Sequence, residues 1–176
     1  FLKANKKATR LIIHFYKLIS KKELKPILDT LYNKLDLQIP VIVVTINKTA
    51  SKELLAFDMS SEGLMPYSGT YIKVGEREYL LFNNTRYDET SKPTPKEHHF
   101  PVKIKLTSTQ LELLEEKELI DLLLDQVYQF SRMYWKSVSQ QNLPVTLAYP
   151  EMVAEMFPYF KYDKLPEFGK ENLWFL

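Results

Sequence analysis

The sequence predicts an α/β domain in which a mixed sheet is flanked by helices. Residues 10–16 and 41–46 are apolar and enclose a helical segment, an order typical of a parallel crossover covered on both faces. Two strand-like segments, 70–74 and 78–82, meet close to a glycine and indicate a hairpin. A long apolar stripe at helical spacing within 116–138 predicts a helix that could cover such a sheet.

The composition is that of an ordinary globular domain, with 45% hydrophobic and 26% charged residues. The formal net charge of +2 is too small to predict a nucleic-acid partner by itself. The chain has no cysteine, which excludes disulfides, thiolate metal sites and cysteine nucleophiles, and we expect a cytoplasmic protein. No apolar run reaches the roughly 18 residues that span a bilayer, so we expect no membrane partner. Because the first residue is Phe1, we expect residues 1–176 to be part of a longer chain.

The first half reads as strand, helix, strand. Residues 10–16 predict a buried strand, and Ser20 followed by Glu23 predicts a capping box at a helix start. The apolar face of that helix would carry Leu24, Ile27, Leu28, Leu31 and Leu35. Pro40 ends the connection, and residues 41–46 predict the second buried strand.

The second half contains shorter elements. Short strands are predicted at 54–57, 70–74 and 78–82, the last two joined at Gly75-Glu76, and a half-exposed strand is predicted at 102–106. The polar segment between them, residues 85–101, carries three prolines and predicts a long loop. A long helix follows over 116–138, and Pro150 is expected in the first turn of a short helix. The apolar end, Leu173 to Leu176, is expected to pack.

Enzyme signatures are weak in this chain. The pair His98-His99 has no further ligands at metal-site spacing, and His14 inside an apolar strand is better explained as a core histidine. The four glycines stand singly, so no phosphate-binding glycine loop is present.

Several basic residues follow the predicted strands and helices. Lys48 follows a strand end, Lys92 lies in the proline-rich loop, and Arg132 and Lys136 fall late in the long helix. Since ligands bind at the carboxyl ends of parallel strands, these cations could hold a phosphate backbone there. The alternative is a solvated charged face.

Four segments, in this order, resemble the C-terminal half of the PIWI domain of Argonaute proteins. Residues 10–16, Arg-Leu-Ile-Ile-His-Phe-Tyr, are similar to the family strand R-I-I-I-Y-R-D, and residues 43–48 to its V-V-Q-K segment. Residues 78–94 match the family segment from D-F-Y-L-C-S-H to T-S-R-P-T without a gap, and residues 137–154 follow its S-V-S, P and Y-A-H-L-V-A run. The resemblance covers nearly the whole chain and implies an RNase H-like fold.

The resemblance also implies a guide-binding role for particular residues. By position, the candidate contacts to the backbone of a guide strand are Lys48, Asn84, Lys92, Lys136 and Ser139. Lysine neutralises phosphate charge, while hydroxyl and amide groups fix the register of the strand. The carboxylate of Leu176 could lie beside a Mg²⁺ ion at the guide 5′ phosphate, as the chain end does in some family members.

The chain departs from the family pattern where cleaving Argonautes hold two Mg²⁺ ions with carboxylates. The family aspartate at the end of the first strand falls at Tyr16 or Lys17 here, and neither can bridge two cations. The last family ligand falls at Glu151, which could still coordinate, and the other two acidic ligands would lie upstream of Phe1.

This pattern resembles the short prokaryotic Argonautes, which do not cleave. It implies a protein that binds guide RNA or DNA with a complementary target, senses invader nucleic acid and activates an effector in prokaryotic defence. The effector would carry a TIR or Sir2 domain and an Argonaute-associated domain. The alternative is a metal-dependent, guide-directed nuclease completed by upstream carboxylates and Glu151. A third reading, a scaffold surface for an effector, is compatible with the first.

Overall fold

The computed structural model describes residues 7–48, 56–60, 64–83, 85, 101–134 and 142–160. Within them, a five-stranded mixed sheet has the strand order β1-β2-β5-β4-β3. Strand β1 (Leu11–Phe15) runs parallel to β2 (Val41–Asn47), and β5 (Val102–Ser108) is antiparallel to β2. Strand β4 (Glu78–Leu81) is antiparallel to β5 and forms a hairpin with β3 (Tyr71–Gly75). The predicted mixed sheet and the parallel crossover are confirmed.

The crossover between β1 and β2 is helical, as predicted. Helix α1 (Lys21–Asp29) begins at the predicted capping box, where Ser20 Oγ accepts a hydrogen bond from the Glu23 amide at 3.3 Å. The Glu23 carboxylate accepts one from the Ser20 amide in return, at 2.9 Å, so two otherwise free donors are satisfied. The helix continues as a π-helical turn, Thr30–Lys34.

The crossover covers one face of the β1–β2 pair. Leu31, Val41 and Val43 are buried at its centre, and the partly buried residues packed around them are Leu11, Ile13, Phe15, Ile19, Leu24, Leu28, Tyr32, Leu37 and Ile39. Because one face of each strand is used here, the alternate residues of the same strands are free to build a second core on the other face.

The main core lies on that second face. Helix α2 (Lys117–Ser131) follows a short 3₁₀ helix, Leu111–Glu115, and packs its apolar stripe against β2, β4 and β5. The buried side chains of this core include Ile42, Val44, Ile46, Leu81, Ile104, Leu106, Leu119, Leu123, Leu124 and Val127. Burial alternates along β5, as its sequence predicts, because Lys103, Lys105 and Thr107 fall on the opposite face.

Two helix boundaries differ from the prediction. The long helix ends at Ser131 rather than at residue 138, and the Ser131 hydroxyl donates to the Tyr128 carbonyl at 2.6 Å, competing with the helical hydrogen-bond pattern. Helix α3 (Val145–Met156) begins five residues before Pro150, because Pro144 is its N-cap in an extended conformation (φ −65°, ψ 149°). Pro150 therefore lies inside the helix and leaves one carbonyl of the preceding turn without its usual donor.

The hairpin between β3 and β4 also turns one residue later than predicted. Gly75 pairs with Glu78, and the residue with positive φ in the turn is Arg77 (φ 55°). Of the strand predicted at 54–57, Ala56 and Phe57 are not in a strand, and the rest lies outside the described residues. Nearly all of the predicted loop at 85–101 and the whole apolar end also lie outside the described residues. In the part of the chain that is described, no helix is long and apolar enough to cross a membrane.

Candidate functional site

One edge of the sheet gathers the ends of four strands. The parallel register of β1 and β2 brings their carboxyl ends together, with Phe15 opposite Thr45. Strand β5 starts at this edge, since Lys103 pairs with Asn47, and β4 ends there beside it. We call this the strand-end edge and define it by Tyr16, Lys17, Lys48, Phe82, Asn83 and Lys103. Carboxyl ends of parallel strands are the usual ligand position in open α/β sheets.

The end of β1 carries a cation in place of a carboxylate. Tyr16 is 64% exposed, and the Lys17 ammonium lies 5.7 Å from the centre of the Tyr16 ring. Lys17 Nζ also pairs with Glu23 Oε1 at 2.8 Å. This hydrogen bond raises the pKa of Lys17, and together with the Ser20 contacts it lowers the pKa of Glu23 to about 2. The capping box of α1 thus holds the Lys17 side chain at the strand-end edge in an ion pair with Glu23.

A second lysine of the edge is held by a carboxylate on the neighbouring strand. Glu78 on β4 pairs with Lys103 and Lys105 on β5, both at 2.9 Å. The hydrogen bonds from Lys103 and then Lys105 lower the pKa of Glu78, so one negative charge is shared by two cations. The group keeps a net positive charge on the sheet face opposite the main core.

The first turn of α3 is anchored across the sheet from β4 to β1. Asn83, 1% exposed at the end of β4, donates from Nδ2 to the main-chain oxygen of Asn142 at 2.5 Å. His14 Nδ1 on β1 lies 2.7 Å from Thr146 Oγ1 in the first turn of the helix. These two contacts fix the start of α3 beside the strand-end edge, where the positive end of its dipole can meet an anion.

His14 is a neutral core histidine, in agreement with its sequence context. Burial lowers its pKa to about 4, and its ring makes an edge-on contact with Phe130 at 5.9 Å between centroids. A neutral imidazole can share one hydrogen bond with the Thr146 hydroxyl at pH 7. The side chain therefore positions α3 and offers no charge to a ligand.

The remaining predicted site residues are placed as follows. Lys48 is exposed directly after β2, and Arg132, which follows the end of α2, contacts the Tyr128 hydroxyl at 2.9 Å. Glu151 is exposed on α3, and no group of three acidic, histidine or cysteine side chains suited to a metal ion occurs among the described residues. The predicted residues that lie outside the described ones are Asn84, Lys92, His98, His99, Lys136, Ser139 and Leu176.

Three further candidates, Asn83, Asn142 and Thr146, are visible only in the structure. Each is a small polar residue whose role depends on a contact between distant parts of the chain. The polar run before Pro144 and the Asn-Asn pair after β4 were the available sequence signals. Neither signal indicates that the two segments touch.

The outer helical layer has the opposite charge. The 3₁₀ helix and α2 carry Glu112, Glu115, Glu116, Glu118, Asp121 and Asp125. A cavity of about 370 Å³ between β3 and α2 is lined in part by Asp121, Asp125 and Tyr128, and Tyr71 donates to Asp121. A second, apolar groove of about 610 Å³ lies along α3. A polyanion is therefore better accommodated at the strand-end edge than on α2.

Comparison with known proteins identifies similar sequences and folds. No family model matches the chain. The chain is 30% identical to a Piwi protein from Archaeoglobus fulgidus over 118 residues, covering 63% of this chain and 28% of that protein. The chain thus spans little more than a quarter of the length of this curated relative.

Solved Argonaute structures share the fold. Clostridium butyricum Argonaute, bound to a guide DNA and a 19-mer target DNA, matches with a TM-score of 0.56 and 18% identity, over 90% of this chain and 19% of that one. Aa-Ago with externally bound siRNA matches with a TM-score of 0.50 and 12% identity, over 85% and 18%. Marinitoga piezophila Argonaute, in complex with 5′ OH guide RNA, matches with a TM-score of 0.50 and 17% identity, over 84% of this chain and 19% of that one. The predicted RNase H-like, PIWI-type fold is confirmed.

The anchoring role of His14 predicts a pH-dependent stability. The ordinary pKa of 6.5 falls to about 4 on folding, so the unfolded chain binds more protons between these values and stability rises with pH there. The free energy of unfolding should therefore drop by about 2 kcal/mol from pH 7 to pH 5, measured by urea denaturation. This window lies above the range in which Glu23 and Glu78, whose pKa values are lowered, lose stability on protonation.

The matched control is His14→Gln, which keeps a side chain able to hydrogen-bond Thr146 but removes the titration. The His14→Gln variant should not show the fall in the free energy of unfolding between pH 7 and pH 5 that we assign to His14. Identical pH profiles for the two proteins would contradict the assignment of the effect to His14.

Proposed function

We propose that this chain, which has the PIWI-like fold of Argonaute proteins, binds the phosphate backbone of a guide strand at the strand-end edge and does not cleave the target. The observation that carries the proposal is the start of α3, which contacts from Asn83 and His14 hold at the strand-end edge. The solved structures of similar fold contain guide DNA, siRNA or guide RNA, which agrees with this class of ligand.

Backbone contacts would come from residues next to the described anchors. Lys48 lies on the edge itself, Asn84 follows Asn83 in sequence, and Ser139 precedes Asn142 by three residues. Lys92 and Lys136 would add positive charge from their own segments. Lysines would supply affinity through counterion release, and the amide and hydroxyl groups would fix register, with no reading of bases.

The absence of cleavage is inferred from the end of β1. Two-metal cleavage needs carboxylates that bridge the ions, but Tyr16 is exposed at this position and the ammonium of Lys17 is held there by Glu23. The competing function, a nuclease that uses upstream carboxylates with Glu151, would have to place both ions away from this strand end.

The resemblance extends the proposal to a defence pathway. We propose that guide-directed recognition of invader nucleic acid activates an associated effector with a TIR or Sir2 domain, which would consume NAD. Coexpression of the full-length protein with a candidate TIR or Sir2 effector, followed by measurement of NAD in cells carrying a matched target, tests this step. If the NAD concentration stays unchanged while guide and target are bound, the effector step is wrong and the proposed guide binding still stands.

The first prediction concerns cleavage. The full-length protein, loaded with guide and supplied with Mg²⁺ or Mn²⁺, should leave a labelled, fully matched target intact, because Tyr16 and Lys17 cannot bridge the ions. Product formation is followed on denaturing gels. Metal-dependent cutting that disappears in Glu151→Ala would contradict the proposal and support the nuclease.

The second prediction concerns the salt dependence of guide binding. Replacing Lys48, Lys92 and Lys136 by Ala should weaken guide binding and reduce the slope of log K against log salt by about one unit per lysine. Fluorescence anisotropy over a salt series measures both quantities in the full-length protein.

The control replaces two exposed lysines near the opposite edge of the sheet, Lys34→Ala and Lys117→Ala. It removes surface charge without touching the strand-end edge. Equal slope changes per replaced lysine in the two sets would mean that the lysines act only as a solvated charged face.

The third prediction concerns the chain end. We propose that the Leu176 carboxylate helps to hold Mg²⁺ at the guide 5′ phosphate. A Gly-Ser extension after Leu176 keeps every side chain but moves this charge, so it should weaken binding of 5′-phosphorylated guide and leave 5′-hydroxyl guide and thermal stability nearly unchanged. An extended protein with the wild-type preference for 5′ phosphate would exclude this role.

A further inference from the structure

Helix α3 carries much apolar surface that is not buried. Apolar residues lie around its whole circumference, and Glu151 and Glu155 are its only charged residues. Leu147 is nevertheless the only buried residue of the helix. Because helices that are apolar all round are normally covered on most sides, we expect a further element to pack against α3.

The uncovered side of α3 forms an apolar groove of about 610 Å³. The groove is lined by Tyr149, Pro150, Val153, Ala154 and Phe157, which recur at the three- and four-residue spacing of one helix face. Pro150, Ala154 and Phe157 are exposed. Among the described residues, no charged side chain lines the groove, so an apolar occupant fits it best.

The chain itself contains a segment that matches the groove. Leu173, Trp174, Phe175 and Leu176 are four consecutive bulky apolar residues, and they lie outside the described residues. A buried aromatic side chain removes about 150–250 Å² of surface from water, and two of the four residues are aromatic. Burial of this segment is therefore strongly favoured wherever an apolar surface is within reach.

The connection between the groove and this segment is long enough for such a contact. The described part of the chain ends at residue 160, directly after α3, and residues 161–172 join it to Leu173. Twelve extended residues span about 40 Å, whereas the 12 residues of α3 make a helix about 18 Å long. Pro166 and Gly169 within the connection favour a turn, so the segment can return along the helix that it follows.

We propose that the apolar segment 173–176 packs into the groove of α3 and covers this face of the helix. A tethered segment has an effective concentration in the millimolar range, far above that of a second copy of the chain in micromolar solution. The chain's own segment is therefore the favoured occupant. The inference goes beyond guide binding and does not depend on it.

Engineered disulfides test the contact directly, because residues 1–176 contain no cysteine. In the full-length protein, Ala154→Cys is combined in turn with one cysteine substitution at each of the positions 173–176. A disulfide needs Cα atoms within about 7 Å, so one or two of the four pairs should link within a single molecule under mild oxidation. The linked peptides are identified by mass spectrometry.

The matched control combines the same four substitutions with Glu155→Cys. Glu155 is exposed and follows Ala154 directly, but it does not line the groove. Successive residues of a helix point about 100° apart, so the Glu155→Cys pairs should link several times more slowly.

The environment of Trp174 provides a second measurement that needs no cross-link. In protein labelled with fluorotryptophan, the Trp174 signal in the fluorine NMR spectrum is assigned by its loss in Trp174→Phe. Ala154→Arg introduces a charged side chain into the groove and should shift this signal toward its position in the unfolded chain. Glu155→Arg, the control at the neighbouring position, should leave the signal unchanged.

Several results would overturn the proposal. They are the absence of any link to Ala154→Cys, equal rates for the Ala154→Cys and Glu155→Cys pairs, and a Trp174 signal that Ala154→Arg does not move. Links between two molecules instead of within one would make a second copy the occupant and would also overturn it. Neither measurement uses nucleic acid, so a failure of guide binding would leave this inference standing.

Discussion

The parallel pairing of β1 with β2 is the constraint on which the rest of the structure depends. It requires a crossover, which α1 provides, and it uses alternate residues of both strands for two separate cores. It also places both carboxyl ends at one edge of the sheet. The antiparallel strands β5 and β4 then bring a strand start and a further strand end to the same edge.

The helix that follows contributes its start to the binding surface that we propose at this edge. The start of α3 spans from β4 to β1 because a buried asparagine and a neutral histidine hold it at two points. Burial of these polar groups has a cost, which the hydrogen bonds from Asn83 to Asn142 and between His14 and Thr146 offset in part. Glu23 and Glu78 pair with lysines at the edge and keep those side chains in place. The Glu78 group retains a net positive charge because it contains two lysines, whereas the Lys17–Glu23 pair is neutral.

Much of the fold could be predicted because its signals are local. Short stretches of sequence were enough to predict the capping box at Ser20, the apolar strands and the alternation along β5. The end of α2 and the start of α3 could not be predicted from the apolar pattern. At Ser131 the side chain hydrogen-bonds to the Tyr128 carbonyl where α2 ends, and Pro144 in an extended conformation caps the start of α3. The positions of some candidate residues could be predicted: Lys48 follows a strand end, and the family resemblance put Tyr16 and Lys17 at the end of the first strand. The Asn83–Asn142 contact could not be predicted, because it joins residues 59 positions apart.

The central claim is that nucleic acid lies across the strand-end edge, and amine-reactive footprinting of the full-length protein tests it most directly. Lysine labelling read by mass spectrometry, with and without guide, reports each position separately. The account predicts that guide protects Lys17 and Lys48 while Lys34 and Lys117 stay reactive. Protection of Lys34 or Lys117 with unchanged labelling of Lys17 and Lys48 would contradict it.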